Sequence, residues 1–377
     1  MKILPLLIIL IVFIGAHVYV FFRLWQLMPP VLPGRILLVT GGVLACLSLF
    51  AFFLLRNALP YTAASVLYTF STSWIFIFLY LLMTLLVLDV IRLIPLFPFQ
   101  KYMYGNWWAF CGIWIFVGLI MCAGYVRYLH KDRVELELRS HRAGETGRWI
   151  RIVAVSDLHL GYGIGLGELE GWVRKINKEK PDIILIAGDI IDNSVVPLYT
   201  RHVAEVMRQL DARYGVYACM GNHEHIAHDA ASAKWLAEAG VQVLRDSATL
   251  VDSLFYVVGR EDRTHPERKA VAELVHRLDP AFPVILLDHQ PYHLEEAAAA
   301  RVDLQISGHA HRGQVWPINW ITDRIYEVSH GYLRKDDTDF YVSSGIGIWG
   351  GKFRIGSRSE YVVIRFLVPD PPGQAGK

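Results

Sequence analysis

The first 126 residues of this chain carry only seven charged side chains, and long apolar runs fill most of the remainder. A helix needs roughly 20 mostly apolar residues to cross a hydrocarbon core of about 30 Å. Four stretches meet that length, at about 3–22, 36–55, 74–94 and 107–126. Backbone polar groups cannot be left unpaired in hydrocarbon, so such stretches must be helical. The first begins behind Lys2 as a signal peptide would, but it is long for that role and has no clear small-x-small cleavage site. With three more spans following, it reads as a retained helix. Pro29, Pro30 and Pro33 mark the first connection, and Pro95 with Pro98 marks the third.

The charges are segregated accordingly. Residues 1–126 hold six basic side chains and one acid, Asp89, while the remaining 251 hold 31 basic and 34 acidic ones and fourteen of the fifteen histidines. A membrane module therefore precedes an ordinary folded domain, and disorder is excluded. The second part is slightly acidic and lacks the basic footprint of a nucleic-acid binder. Cys46, Cys111 and Cys122 lie in apolar runs, and Cys219 alone belongs to the second part, so no intradomain disulfide is expected there. Four spans put both termini on one side. Lys2, Arg56, Arg127, Lys131 and Arg133 then oppose Arg23, Arg35, Arg92 and Lys101, and this small excess predicts cytoplasmic termini and a cytoplasmic folded domain on an inner or plasma membrane. Asp89 and Arg92, three residues apart near a span end, read as an interfacial helix pair, and the spans as an anchor.

Beyond a charged connector at 127–149, short apolar runs alternate with amphipathic patterns. Residues 151–155, 183–186, 216–219, 284–287 and 304–306 read as strands buried on both faces, and 254–258, 340–342 and 361–366 as further strands. Residues 166–178, 198–212, 230–239 and 268–278 read as helices. The alternation predicts one layered α/β domain over 150–366, with a disordered tail at 367–377.

Polar clusters follow the strands directly: Ser156-Asp157-Leu158-His159, Gly188-Asp189-Ile190-Ile191-Asp192, Gly221-Asn222-His223-Glu224, Asp288-His289 and Gly308-His309-Ala310-His311. Ligands collect at the carboxyl ends of strands in α/β sheets, so five such ends can converge. Carboxylates, imidazoles and one amide oxygen suit borderline ions such as Mn, Fe, Zn or Co better than Ca or thiolate-loving metals. Asp157 and His159 are two residues apart, as are His309 and His311, so each pair can face one ion. Glycines precede Asp189, Asn222 and His309, where sharp turns are expected. Each element alone is commonplace: Gly-Asp is a turn, and an isolated His289 is more often a core or surface residue. Glu224 and His225 read as bland. The ordered set points to a dinuclear metal site.

This set resembles the calcineurin-like metallophosphoesterase superfamily, whose pattern is D-x-H, G-D-x-x-D, G-N-H-[DE], a lone H, then G-H-x-H. All five blocks are present over about 150–366. "GVYACMGNHE", "DLQISGHAHRGQVWP" and "YVSSGIGIW" further resemble a membrane-associated branch that includes UDP-2,3-diacylglucosamine pyrophosphohydrolase-type enzymes. The resemblance implies a four-layer α/β/β/α sandwich and two divalent ions (Mn, Fe or Zn). It implies one ion among Asp157, His159, Asp189 and His311, and the other among Asp189, Asn222, His289 and His309, with Asp189 bridging. His223 takes the proton-donor role, and Asp192 supports its loop without binding metal. The implied reaction is hydrolysis of a phosphodiester or pyrophosphate by in-line attack of a metal-bridging hydroxide.

The substrate is less constrained. Arg312 follows the last ligand and could clamp a phosphate, with a loop salt bridge as the equal alternative. Trp316, Ile318, Trp320, Ile321, Tyr326, Ile348 and Trp349 make either an aromatic rim that dips into a bilayer interface or packing beneath the active-site loops. A lipid-linked substrate such as UDP-2,3-diacylglucosamine, in lipid A biosynthesis, is one candidate. The alternatives are a tethered phosphodiesterase or phosphatase for soluble substrates, and an inactive receptor or scaffold, which the complete set of motifs disfavours. A transporter would need a polar series in the spans, and none is present. No obligate protein partner is indicated.

Overall fold

A computed structural model describes residues 3–94, 98–144 and 147–370. The chain forms two compact units, one of the residues up to Val126 with Gly350–Phe353, the other of Arg127–Trp349 with the chain from Arg354 onward.

The first unit contains α1 (Ile3–Leu27), α2 (Leu32–Leu55), α3 (Tyr61–Arg92), the short α4 (Phe99–Met103) and α5 (Trp107–Leu129), which runs on into the second unit. Four of these are long and apolar enough to cross a membrane, over Leu10–Leu27, Leu32–Leu55, Tyr61–Arg92 and Trp107–Leu129. The third helix starts thirteen residues before the expected 74, because the hydroxyls just ahead of that point are absorbed by the helix itself. Ser71 and Thr72 donate to the Tyr68 carbonyl at 3.0 and 2.7 Å. The expected Asp89–Arg92 pair is not made. Asp89 accepts from Arg23 and from the Tyr19 hydroxyl (2.7 Å) on α1, while Arg92 donates to the Tyr104 hydroxyl at 2.9 Å. Asp89 thus ties α3 to α1.

The second unit is built on two six-stranded sheets. The first, in spatial order, has β1 (Lys131–Arg139), β12 (Ser359–Val368), β2 (Arg148–Val155), β3 (Ile183–Ala187), β4 (Val216–Cys219) and β5 (Gln242–Val243). The second has β10 (Gly331–Lys335), β11 (Thr338–Val342), β9 (Leu304–Ser307), β8 (Val284–Leu287), β7 (Phe255–Gly259) and β6 (Ser247–Val251). Strands β2 to β5 run parallel, as do β7, β8, β9 and β11. Period-two alternation sends each central strand into two cores. Ile183, Leu185 and Ala187 of β3, with Ile152 and Ala154 of β2, meet Ile285, Leu287, Leu304 and Ile306 between the sheets. Ile184 and Ile186 face outward with Leu169, Trp172, Val173 and Ile176 of α6 (Leu166–Lys178). On the far side, Val284 and Leu286 pack with Val271, Leu274, Leu294 and Ala297. The layering is α/β/β/α.

The residues expected as a connector include a strand. β1 pairs in parallel with β12 over nine residues, from Lys131 opposite Ser359 to Arg139 opposite Leu367. Its apolar Val134, Leu136 and Leu138 alternate with charged residues, the pattern of an edge strand with one wet face. β12 likewise takes up Leu367 and Val368, so the tail begins later than 367; residues 371–377 lie outside the described residues. The helix expected at 198–212 is broken into Val196–Thr200 and Val203–Met207 by His202 at φ 53°, and the one at 268–278 shrinks to Val271–Val275.

Candidate metal centre

The parallel strands end on the same edge of each sheet, and the loops leaving them are tied together by backbone hydrogen bonds. In the first sheet Asp157 N donates to Gly188 O (3.0 Å), His159 N to Asp189 O (3.0 Å) and Leu160 N to Ile190 O (2.8 Å). In the second, Gly308 N donates to His289 O (2.9 Å) and Ser343 N to Ser307 O (2.8 Å). The sheets are joined across the site itself. The His309 amide donates to Asp157 Oδ1 (3.0 Å), and His289 Nδ1 donates to the Ala187 carbonyl (2.7 Å).

Three groups of donor atoms result. Asp157, His159 and His311 bring one atom each within 4.8 Å of one another, as do Asp189, His289 and His309, and as do His159, Asp192 and His223, the last sharing His159 with the first. His159 Nε2 and His311 Nε2 lie 3.1 Å apart, with Asp157 Oδ1 at 3.5 Å from the latter. Asp189 Oδ2 stands between the first two groups, 3.1 Å from His289 Nε2 and 3.8 Å from His159 Nε2. His289 must carry a proton on Nδ1, because a carbonyl can only accept, and this leaves Nε2 directed at Asp189 Oδ2 as the ring atom available to a shared cation. Asn222 Oδ1 is buried without a partner. Lone pairs that face one another in a buried pocket suit a shared cation, so this donor set fits divalent ions of the borderline class.

The backbone is held in unusual conformations here. Asp157, His159, Asp189, His309 and His311 all have positive φ, between 46° and 67°. Such strain persists only where the surroundings enforce it, and it concentrates at functional sites. The neighbouring glycines serve two different ends. Gly188 has φ +78°, a turn as expected, but Gly221 is extended at φ −111°. At Gly221 the requirement is space: a Cβ would sit 2.2 Å from Asp189 Oδ1.

Electrostatics follow from this crowding. Burial lowers His309 to about 4 and holds His311 well below its ordinary value, assisted by His289 and His159 respectively, so both present neutral lone pairs. At His223 burial opposes the charge, but Asp189 and Asp192 outweigh it and raise the imidazole to about 10. His223 Nδ1 donates to the Asp192 carbonyl at 2.7 Å and lies 3.2 Å from Asp192 Oδ1, whose side chain also stands 3.7 Å from His159 Nδ1. Asp192 thus orients two imidazoles as well as its loop.

Two residues carry more than their sequence context indicates. Glu224, read as bland, is fully buried and accepts from the amides of Asp189 (3.0 Å), Ile191 (2.8 Å) and Gly221 (2.7 Å). It locks together the two loops that bear Asp189 and Asn222. Buried Arg354 donates to the carbonyls of His311 (2.9 Å), Ser344 (2.6 Å) and Gly347 (2.8 Å), fixing the turn at His311 against the loop after β11. No motif marks it. Arg312 has no ion pair or hydrogen bond among the described residues, which leaves the loop salt bridge unmade. Of the apolar rim, Ile348 is buried in the core, Trp316 is half-buried and Trp320 is 63% exposed.

A two-sheet α/β domain with a carboxylate–imidazole cluster at its strand ends defines a class of candidate metal-binding proteins, and comparison narrows it. The family model described as "Calcineurin-like phosphoesterase" matches residues 150–313. The chain is 30% identical over 226 residues to an "Uncharacterized metallophosphoesterase" of Aquifex aeolicus (strain VF5), covering 58% of this chain and 85% of that one. It is 32% and 30% identical to proteins of Bos taurus and Danio rerio named "Transmembrane protein with metallophosphoesterase domain", over 60% of this chain in each case. The chain spans just over half the length of those two, 54% and 55%. It belongs to the calcineurin-like metallophosphoesterase family. The four apolar helices and the transmembrane relatives together point to a membrane protein.

Proposed function

We propose that this chain is a membrane-anchored phosphoesterase that hydrolyses a phosphodiester or pyrophosphate bond at a two-metal centre. The observation that carries this reading is the pair of donor groups meeting at Asp189. Asp157, His159, Asp189 and His311 would hold one ion, and Asp189, Asn222, His289 and His309 the other. Two divalent ions at such a centre supply Lewis acidity, water that ionises near neutral pH, and a clamp on attacking and leaving oxygens.

The chain's own residues do the rest. His223, held through Nδ1 by Asp192, keeps Nε2 for protonating the leaving oxygen, a contribution of about 10²–10⁴-fold. Its raised pKa keeps that proton in place until it is needed. Arg312, without an ion pair or hydrogen bond among the described residues, would grip a substrate phosphate through its guanidinium fork. Asp192, Glu224 and Arg354 act as positioning residues.

The four apolar helices favour a substrate met at the membrane, and UDP-2,3-diacylglucosamine is the specific candidate, with the catalytic domain on the cytoplasmic side. The test is purified full-length protein in detergent with Mn²⁺, offered UDP-diacylglucosamine or bis-p-nitrophenyl phosphate, with Asp189→Asn as control. Asp189-dependent cleavage that strongly prefers the lipid nucleotide supports the full reading. Cleavage of the soluble diester alone keeps the phosphoesterase and discards the lipid substrate. Turnover that survives in Asp189→Asn overturns the assignment of the centre.

A further inference from the structure

The helix Ile318–Ile325 is amphipathic in the wrong sense for a globular surface. Its polar Asn319 is buried, whereas Trp320, Ile321 and Ile325 are 63%, 57% and 54% exposed. At 100° per residue, Trp320, Ile321, Arg324 and Ile325 share one outward face. A surface helix normally turns this face to the core. Four features exclude a loose, misplaced segment. Asn319 lies against the turn that carries His311, where a Cβ on Gly313 would meet the Asn319 amide at 2.4 Å. Thr322 caps back onto the Asn319 carbonyl at 2.9 Å. Asp323 accepts from Ser329, and Trp316 meets Trp320 edge-on at 5.4 Å. The apolar face is held outward by these contacts.

We infer that this helix is an interfacial membrane-docking element, its Trp320–Ile321–Ile325 face lying in the headgroup region of the bilayer that the chain's own apolar helices span. Two observations select a bilayer as the occupant. Only His130 separates the end of α5 at Leu129 from the first strand at Lys131. One residue reaches about 3.5 Å, so the first strand begins within a few ångströms of the end of the last apolar helix. The face itself has the composition of an interfacial helix, with Trp and large aliphatics flanked by a cation, Arg324. Because the helix packs on the turn bearing His311, docking would fix how the centre meets amphiphiles arriving from the membrane. The inference rests on membrane anchoring and not on the phosphoesterase chemistry, so it can fail while that chemistry stands.

The test uses full-length protein in lipid nanodiscs. Cys46, Cys111 and Cys122 are replaced by serine, buried Cys219 is kept, and an environment-sensitive fluorophore is attached at Ile321→Cys. The same label at Asp337→Cys, in the exposed turn between β10 and β11, is the water reference. The expected result is a blue-shifted emission at 321 relative to 337, lost on adding lipids with a nitroxide near the headgroup end of the acyl chain. Adding Trp320→Ser and Ile325→Ser should return the label at 321 towards the water reference. A water-like, unquenched label at 321 overturns the inference. So does a blue shift without quenching, which would mean that protein covers the face.

Discussion

Replacing Glu224 by glutamine tests whether one buried carboxylate holds the centre together. Its two oxygens accept three amides, from Asp189, Ile191 and Gly221. Burial and the Asp189 charge push its pKa up to about 7, with the amides of Ile191 and Gly221 pulling the other way, so its acceptor geometry matters more than a full charge. Glutamine would keep its oxygen towards Asp189 and Gly221, which share one acceptor, and turn its NH₂ towards the Ile191 amide. Leaving that buried donor unsatisfied costs about 1–3 kcal/mol. Against a typical total of about 5–15 kcal/mol the domain survives, but the strain falls on the loop that carries Asp189. Metal content after gel filtration, diester turnover and near-ultraviolet circular dichroism would be measured together. The expected outcome is a folded protein that has lost metal and at least about tenfold in rate, the equivalent of about 1.4 kcal/mol, with partial recovery in excess Mn²⁺. Unchanged metal content and turnover in Glu224→Gln would refute the reasoning.

Further predictions concern individual residues. His223→Ala should keep its metal yet lose about 10²–10⁴-fold in rate, least with p-nitrophenyl leaving groups; loss of metal would show that its role is misassigned. Arg354→Met should lower turnover by loosening the turn at His311, and Arg354→Lys should not restore it, because one ammonium cannot reach the carbonyls of His311, Ser344 and Gly347 together; full activity in either variant counts against this. Glu261, buried but bonded to Arg245 (2.6 Å) with His225 at 3.2 Å, is lowered from 4.5 to about 2 because those partners overcome the effect of burial. Its stabilisation is therefore present above pH 4.5 and is lost as pH falls through about 2. Urea unfolding of wild type and Glu261→Gln should show a gap that narrows from pH 6 to pH 3, whereas a constant gap would contradict the assignment.

Much of the site is legible from spacing because its logic is local. Asp157 and His159 follow an apolar strand buried on both faces, and their two-residue separation already brings both to one side. Five loops can be predicted to converge because parallel strands end on one edge. What spacing cannot supply is who holds the loops in place. Glu224 is a single acid in a short helix, and its three amides come from segments up to 35 residues away. Arg354 reaches 43 residues back to His311. β1 shows period-two alternation, but its charges read as a linker until β12, more than 220 residues later, supplies its partner. The helix Ile318–Ile325 escapes a periodicity argument, since its apolar residues Trp320, Ile321 and Ile325 turn away from the core. Arg23 hides the same way: only the packing of α1 against α3 makes it the partner of Asp89.

The central claim is that Asp189 joins two cation sites. Metal analysis of full-length protein by mass spectrometry, run beside Asp189→Asn and an EDTA-treated sample assayed on bis-p-nitrophenyl phosphate, tests it most directly. The account predicts about two bound divalent ions per chain, the stoichiometry of a two-metal hydrolase, with both ions and turnover lost in Asp189→Asn and turnover regained when metal is returned to the stripped wild type. Hydrolysis that persists without metal, or an Asp189→Asn protein that retains both ions, would contradict it.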